Sequence, residues 1–320
     1  MPEERIWVAG HRGMVGSALT RRLRAQNRHV LTVERSALDL RRQRDVELWI
    51  KSNKPTAIIL AAAKVGGIVA NTTYPADFIY DNLAIQTNLI HCAHISEVDR
   101  MVFLGSSCIY PKLVEQPIKE SSLMTGKLEP TNEFYAIAKI AGILTCQAYR
   151  KQFGRRYISV MPCNLYGPND SYDLQNGHVL PALFRKFHDA IAGKAREVVI
   201  WGTGKPLREF LHVDDMAGGV VRCLDDYDEY EPINIGYGSE ISIGAIAEMI
   251  RDVSGFEGRL VFDATKPDGI PRKLMDSSRI AALGWRPQIP LRAGIESAYR
   301  WFVQSVAAAE RGSEKAARAS

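Results

Sequence analysis

Four short segments carry residue types suited to chemistry. They are Gly10-His11-Arg12-Gly13-Met14-Val15-Gly16, Gly105-Ser106-Ser107-Cys108, Tyr135-x-x-x-Lys139 and Asn176-Gly177-His178. Tyr135 and Lys139 stand four positions apart, so a helix places both on one face. A lysine ammonium there favours the phenolate of tyrosine and eases proton exchange by Tyr135. Ser106, following an apolar run that ends at Leu104, can donate to a carbonyl oxygen. Hydride addition to that carbonyl, with a proton from Tyr135, is then a complete reduction. Cys108 and His178 are two proton-transfer groups beyond what such a reduction needs. Histidine, with an unperturbed pKa of roughly 6.5, suits acid–base work near neutrality. The surplus points to an enzyme that isomerises its substrate as well as reducing it.

The first segment can hold a dinucleotide. Gly10 permits a tight turn, Gly13 the close approach of a diphosphate, and Gly16 the packing of helix on sheet. The helix that follows presents free N–H groups to the diphosphate. Arg12 in the turn and Arg35 after the second strand can pair with an adenosine 2'-phosphate, which favours NADP. Glu34 points the other way, because an acid at this strand end can bind the ribose hydroxyls of NAD. Asp39 and Leu40 can border the adenine, and Ala61, Ala62, Ala63 and Lys64 can pass under the cofactor.

These residues must be positioned by alternating strands and helices. Apolar runs at 5–9, 30–33, 57–61, 101–104 and 157–161 read as strands. Helical periodicity covers 15–24, 82–94 and 135–153. Strands spaced by helices in this way imply βαβ units. The expected fold is α/β, a Rossmann-like doubly wound parallel sheet with a smaller C-terminal substrate-binding lobe. Residues 163–178 read as a loop, 179–192, 216–224 and 243–253 as helices, and 198–201 and 211–213 as short strands. The expected division is 1–165 plus 209–235 for the NADP-binding domain and 166–208 plus 236–303 for the second lobe. Residues 304–320, small, polar and charged, read as a flexible tail.

Composition narrows the class. A chain of 320 residues buries a substantial core. Its apolar stretches are too short to cross a bilayer, and no secretion signal is read at the start, so a cytoplasmic enzyme is expected. Five scattered cysteines suit a reducing compartment, and all but Cys108 read as structural. The net charge of +5 is spread among interspersed acids and bases, which argues against nucleic acid as a partner. No metal-ligand set is read.

The blocks GHRGMVGSA (10–18), LAAAKVGGIVANTTYPADFIYDN (60–82), LGSSCIYPK (104–112), EPTNEFYAIAKIAG (129–142), MPCNLYGPND (161–170), REFLHVDDMA (208–217) and KPDGIPRKLMD (266–276) carry a resemblance. The chain resembles the extended short-chain dehydrogenase/reductases, and among them the GDP-L-fucose synthases. The resemblance implies NADPH as hydride donor and GDP-4-keto-6-deoxy-D-mannose as substrate. It implies inversion at C3 and C5, then reduction at C4. By similarity Cys108 is the base, His178 the acid, and Ser106, Tyr135 and Lys139 the reductase set. It also implies cofactor contacts from Leu104, Gly105, Pro162, Asn164, Leu165 and Gly167, beside Met14, Val15 and His178. Substrate contacts are implied for Ser107, Asn164, Val179, Lys186, Trp201, Arg208 and Asp276. A homodimer through the helices at 82–94 and 135–153 is implied as well, with Leu83, Ile85, Leu89, Ile90, Ile140, Ile143 and Leu144 as their apolar positions. Two alternatives stand beside this reading. One is another nucleotide-sugar epimerase or dehydratase that regenerates its NAD(P) internally. The other is a non-catalytic NADPH-sensing regulator.

Overall fold

A computed structural model describes residues 3–172, 178–266 and 268–319, with side chains described as far as Ala307. Asn176 and Gly177 of the fourth segment lie outside the described residues. The first half alternates as its apolar runs require. Strands β1 (Ile6–Ala9), β2 (Val30–Leu31), β3 (Ala57–Leu60), β4 (Arg100–Leu104) and β5 (Arg156–Pro162) are joined through α1 (Met14–Ala25), α2 (Gln43–Asn53), α3 (Ile68–Thr73), α4 (Pro75–Ile95) and α5 (Glu133–Phe153). The sheet has six strands in the order Ile233–Ile235, β5, β4, β3, β1, β2. All its pairings are parallel. Strands buried on both faces read as continuous apolar runs, and β1 and β3 are buried at every position.

Strand order reverses direction at β1, and in open α/β sheets ligands bind beyond the strand ends at that point. Register sharpens the placement. Ala9 pairs with Leu60, so the turn after β1 and the segment after β3 leave the sheet side by side. Leu104 pairs with Val160, which puts Ser106 and Pro162 at the same end.

A second apolar core forms around Leu183, Phe184, Phe187, Ile246, Ile250 and Phe302. The chain crosses between the cores at Asn164–Tyr166 and at Phe210–His212, and the two crossings pair as parallel strands. The loop expected over 163–178 therefore begins with a strand, made by a partner distant in sequence. Ile280 belongs to the first core, with Leu283 and Trp285 packed against it. The helix Ser278–Ala282 packs on the edge strand Ile233–Ile235, whose Asn234 N–H donates to the Glu120 carboxylate at 2.9 Å. The last helix runs Leu291–Ala319 and so continues through the stretch read as a tail; Ala, Glu, Lys and Arg there are good helix formers.

Leu89, Ile90 and Ile143 are fully buried within the chain. They are core residues, not free dimer contacts. Leu144, also among the positions read, is exposed, as are Tyr80, Ile95, Phe134, Ile137 and Phe153 of α4 and α5.

Candidate active site

The turn after β1 is built from steric necessity. Gly10 has φ +91°, and a methyl there would lie 2.6 Å from the Ala62 nitrogen. A methyl on Gly16 would lie 2.1 Å from the Gly10 carbonyl oxygen. Gly16 thus lets α1 pack on the turn itself rather than on the sheet. A methyl on Gly13 would meet nothing closer than the Gly10 oxygen at 3.7 Å, so Gly13 faces open space. Gly13 is the N-cap of α1 and has no side chain to occupy that role.

A cavity of about 410 Å³ opens here. Eleven of the residues read from sequence as cofactor contacts line it: Gly10, His11, Arg12, Gly13, Arg35, Asp39, Leu40, Ala61, Ala62, Ala63 and Lys64. Glu34 is engaged, with its carboxylate 2.8 Å from Arg12 Nε and 3.3 Å from His11 Nε2. Arg35 lines the cavity and has no ion pair among the described residues. Sequence reading missed Arg41, which lines the same cavity and donates to Asp39 at 2.8 Å and Asp81 at 3.1 Å. The Arg41 side chain holds the Asp39 carboxyl down to about 2.

Ser106, Cys108, Tyr135 and Lys139 gather beyond β4. Ser106 Oγ accepts from the Cys108 N–H at 3.2 Å and caps a short 3-10 turn. Tyr135 lies in the first turn of α5 and Lys139 one turn later. Burial pushes the Tyr135 phenol up, charge on Cys108 adds to that, and a hydrogen bond with Ser106 opposes it. Lys139 is buried, donates to the Leu104 carbonyl at 2.7 Å, and sits 6.0 Å from the Tyr135 ring centre. Desolvation pushes its ammonium down to about 8. Ser107 is buried beneath them.

His178 is the N-cap of the helix Val179–Ala192. Its surface is open to solvent while protein crowds it at longer range. Its imidazole is held below the ordinary value, by desolvation first and by the Lys273 charge second. In the sequence Lys273 stands out only as part of the block 266–276. Its Nζ lies 3.8 Å from Cys108 Sγ.

The residues read as nucleotide-sugar contacts lie on the second lobe and its borders. Lys186 donates to the Val199 carbonyl at 2.9 Å and sits 5.2 Å over the exposed Trp201 ring. Lys266 lies 5.7 Å over the same ring. Arg208 donates to its neighbour's carbonyl, and burial lowers its guanidinium. The Asn164 amide donates to the Glu209 carbonyl at 3.0 Å. Asp276 accepts from the Ser278 N–H at 2.9 Å and lines a separate cavity of about 260 Å³. That cavity shares no lining residue with the one at the glycine turn.

Residues 6–236 match the model of the NAD dependent epimerase/dehydratase family. The chain is 59% identical over 303 residues to GDP-L-fucose synthase 1 of Arabidopsis thaliana, covering 94% of each. It is 52% identical over 315 residues to the GDP-L-fucose synthase of Escherichia coli (strain K12), covering 95% of this chain and 98% of that one. A solved GDP-L-fucose synthetase from Naegleria fowleri, bound to NADP, superposes with a TM-score of 0.89 at 29% identity, covering 96% and 94%. The chain belongs to the NAD dependent epimerase/dehydratase family and, within it, to the GDP-L-fucose synthases.

Proposed function

We propose that the protein inverts C3 and C5 of GDP-4-keto-6-deoxy-D-mannose and reduces C4 with NADPH, giving GDP-L-fucose. The observation that supports this reading is Cys108 beside Ser106 and Tyr135, with Lys273 Nζ 3.8 Å from its sulfur and the Lys273 charge felt at His178. The residues present fit the cofactor. Open space at Gly13 and the start of α1 suit a diphosphate. Arg35 in the cavity suits a 2'-phosphate, while Glu34 is already held by Arg12 and His11. The chemistry supplied by NADPH when bound is hydride donation to C4.

The C4 ketone makes the protons on C3 and C5 acidic. Cys108, as thiolate, takes one and becomes the thiol; the electron pair moves onto the ketone oxygen. Ser106 and Tyr135 donate hydrogen bonds to that oxygen. His178, as imidazolium, returns a proton to the opposite face and becomes neutral. In the reduction Tyr135 protonates the C4 alkoxide, and Lys139 stabilises the phenolate left behind. Arg208, Lys186 and Trp201 serve the nucleotide end, with cations for the diphosphate and a ring for the base. The same reading divides the chain into 1–165 plus 209–235 and 166–208 plus 236–303, with Ile280, Leu283 and Trp285 of the last stretch packing on the first core. It also makes the enzyme cytoplasmic and dimeric; no described helix is long and apolar enough to cross a membrane.

The test is product identification in deuterated buffer. The protein with substrate and NADPH yields GDP-L-fucose carrying solvent deuterium at C3 and C5. Cys108→Ser slows deuterium uptake by about a hundredfold or more, while Tyr135→Phe suppresses C4 reduction more strongly than it slows uptake. No GDP-L-fucose from protein that still binds NADPH overturns the proposal.

A further inference from the structure

The segment 271–276 is tied down almost residue by residue. Leu207 N–H donates to the Pro271 carbonyl at 2.9 Å, and Arg272 and Lys273 pair in parallel with Leu207 and Arg208. Arg272 Nε reaches the Glu240 carboxylate at 2.8 Å. The Leu274 N–H donates to Gln116 Oε1 at 2.8 Å, its carbonyl accepts from Ile118, and the Met275 N–H donates to the fully buried Glu209 at 3.2 Å. The strap thus joins the second-lobe border to the segment 116–118 that follows the Cys108 turn. Successive strand residues point to opposite faces. Arg272 spends its charge on Glu240, while half-buried Lys273 has Cys108 Sγ as its close polar partner and no carboxylate ion pair among the described residues.

We infer that Lys273 is a positioning residue for the inversion step: its ammonium, held by this strap at the Cys108 sulfur, favours the thiolate that accepts the substrate proton. This rests on the reading of Cys108 as the base. The groups that face Cys108 are Tyr135 from α5 and Lys273 from the strap, and the Lys273 charge is also felt at His178. A cation within hydrogen-bonding range of a thiol stabilises its charged form. The same cation opposes protonation of His178.

The other four cysteines are buried, so alkylation by iodoacetamide reports Cys108, with Cys108→Ser as the blank. In the full-length protein, Lys273→Met slows alkylation near pH 7 about tenfold. Deuterium uptake at C3 and C5 slows by a similar factor, and the His178 imidazole resonance titrates at higher pH. Lys273→Arg restores most of both rates, and NADPH binding in each variant reports an intact fold. An alkylation rate unchanged in folded Lys273→Met overturns the inference. Slowed alkylation with undiminished deuterium uptake supports the ammonium–sulfur pairing and instead removes Cys108 from the role of base.

Discussion

Lys139 is the most constrained ionisable residue of the site. Its side chain is 4% exposed, and burial alone drives the ammonium down to about 8. The Leu104 carbonyl and the Phe103 ring, 4.9 Å away, offset part of that cost. Below about 8 the charge is present and the Tyr135 phenolate has its neighbour. C4 reduction therefore declines as pH rises through about 8, where the ammonium is lost. Stability moves the opposite way. The unfolded chain keeps this proton up to the ordinary lysine value of 10.5, the folded chain only up to about 8, so this group makes folding more favourable as pH rises between them. Single-turnover reduction rates across this range measure the first effect and chemical denaturation the second. A rate that stays flat while Lys139 titrates would remove the lysine from proton delivery.

At the scale of elements, the strand–turn–helix after β1 separates two glycines that look equivalent in the motif. At Gly16 an added methyl meets backbone, the Gly10 oxygen at 2.1 Å and His11 Cα at 2.8 Å, and backbone gives little. Gly16→Ala should therefore cost about 2–3 kcal/mol of folding stability and take NADPH binding with it. At Gly13 the methyl projects into open space and the backbone angles, φ −68° and ψ 166°, suit alanine. Gly13→Ala should melt within a few degrees of the parent yet bind NADPH about tenfold more weakly, because the diphosphate must approach closely there. Thermal melts with and without NADPH distinguish the two. Equal losses of melting temperature would mean that Gly13 too is packed against protein.

For the whole molecule, the question is what covers the outer face of α4 and α5. Phe134, Ile137 and Leu144 recur at helical spacing and are 41%, 44% and 43% exposed, forming one stripe along α5. Tyr80 on α4 is 66% exposed. A two-fold contact would pair this face with itself and bury it. Leu144→Asp, placed a turn beyond Lys139, should leave NADPH binding intact and turn a dimer into a monomer by light scattering. A parent protein that is monomeric throughout its active concentration range would remove the assembly from the proposed function.

The sequence by itself determined the parts in which one local pattern has one outcome. The glycine turn, the strands ending at Ala9 and Leu104, and the Tyr135–Lys139 spacing all follow from neighbours in the chain, and so does a parallel sheet flanked by helices. Tertiary structure decided what depends on partners far along the chain. Asn164–Tyr166 is a strand because Phe210–His212 lies beside it, although its own residues read as loop. Glu34 is held by Arg12 and His11 because β2 ends next to the glycine turn, so the acid that argued for NAD is occupied. Leu89, Ile90 and Ile143 went to the core and Leu144 to the surface, a choice periodicity leaves open for a helix apolar on more than one side. Lys273 reached Cys108 across a sequence separation of 165, through a strap fixed by Gln116, Glu209 and the Leu207–Arg208 strand. Alternation along a two-residue strand says that Arg272 and Lys273 face opposite ways, but only the packed chain decides which of them meets the sulfur.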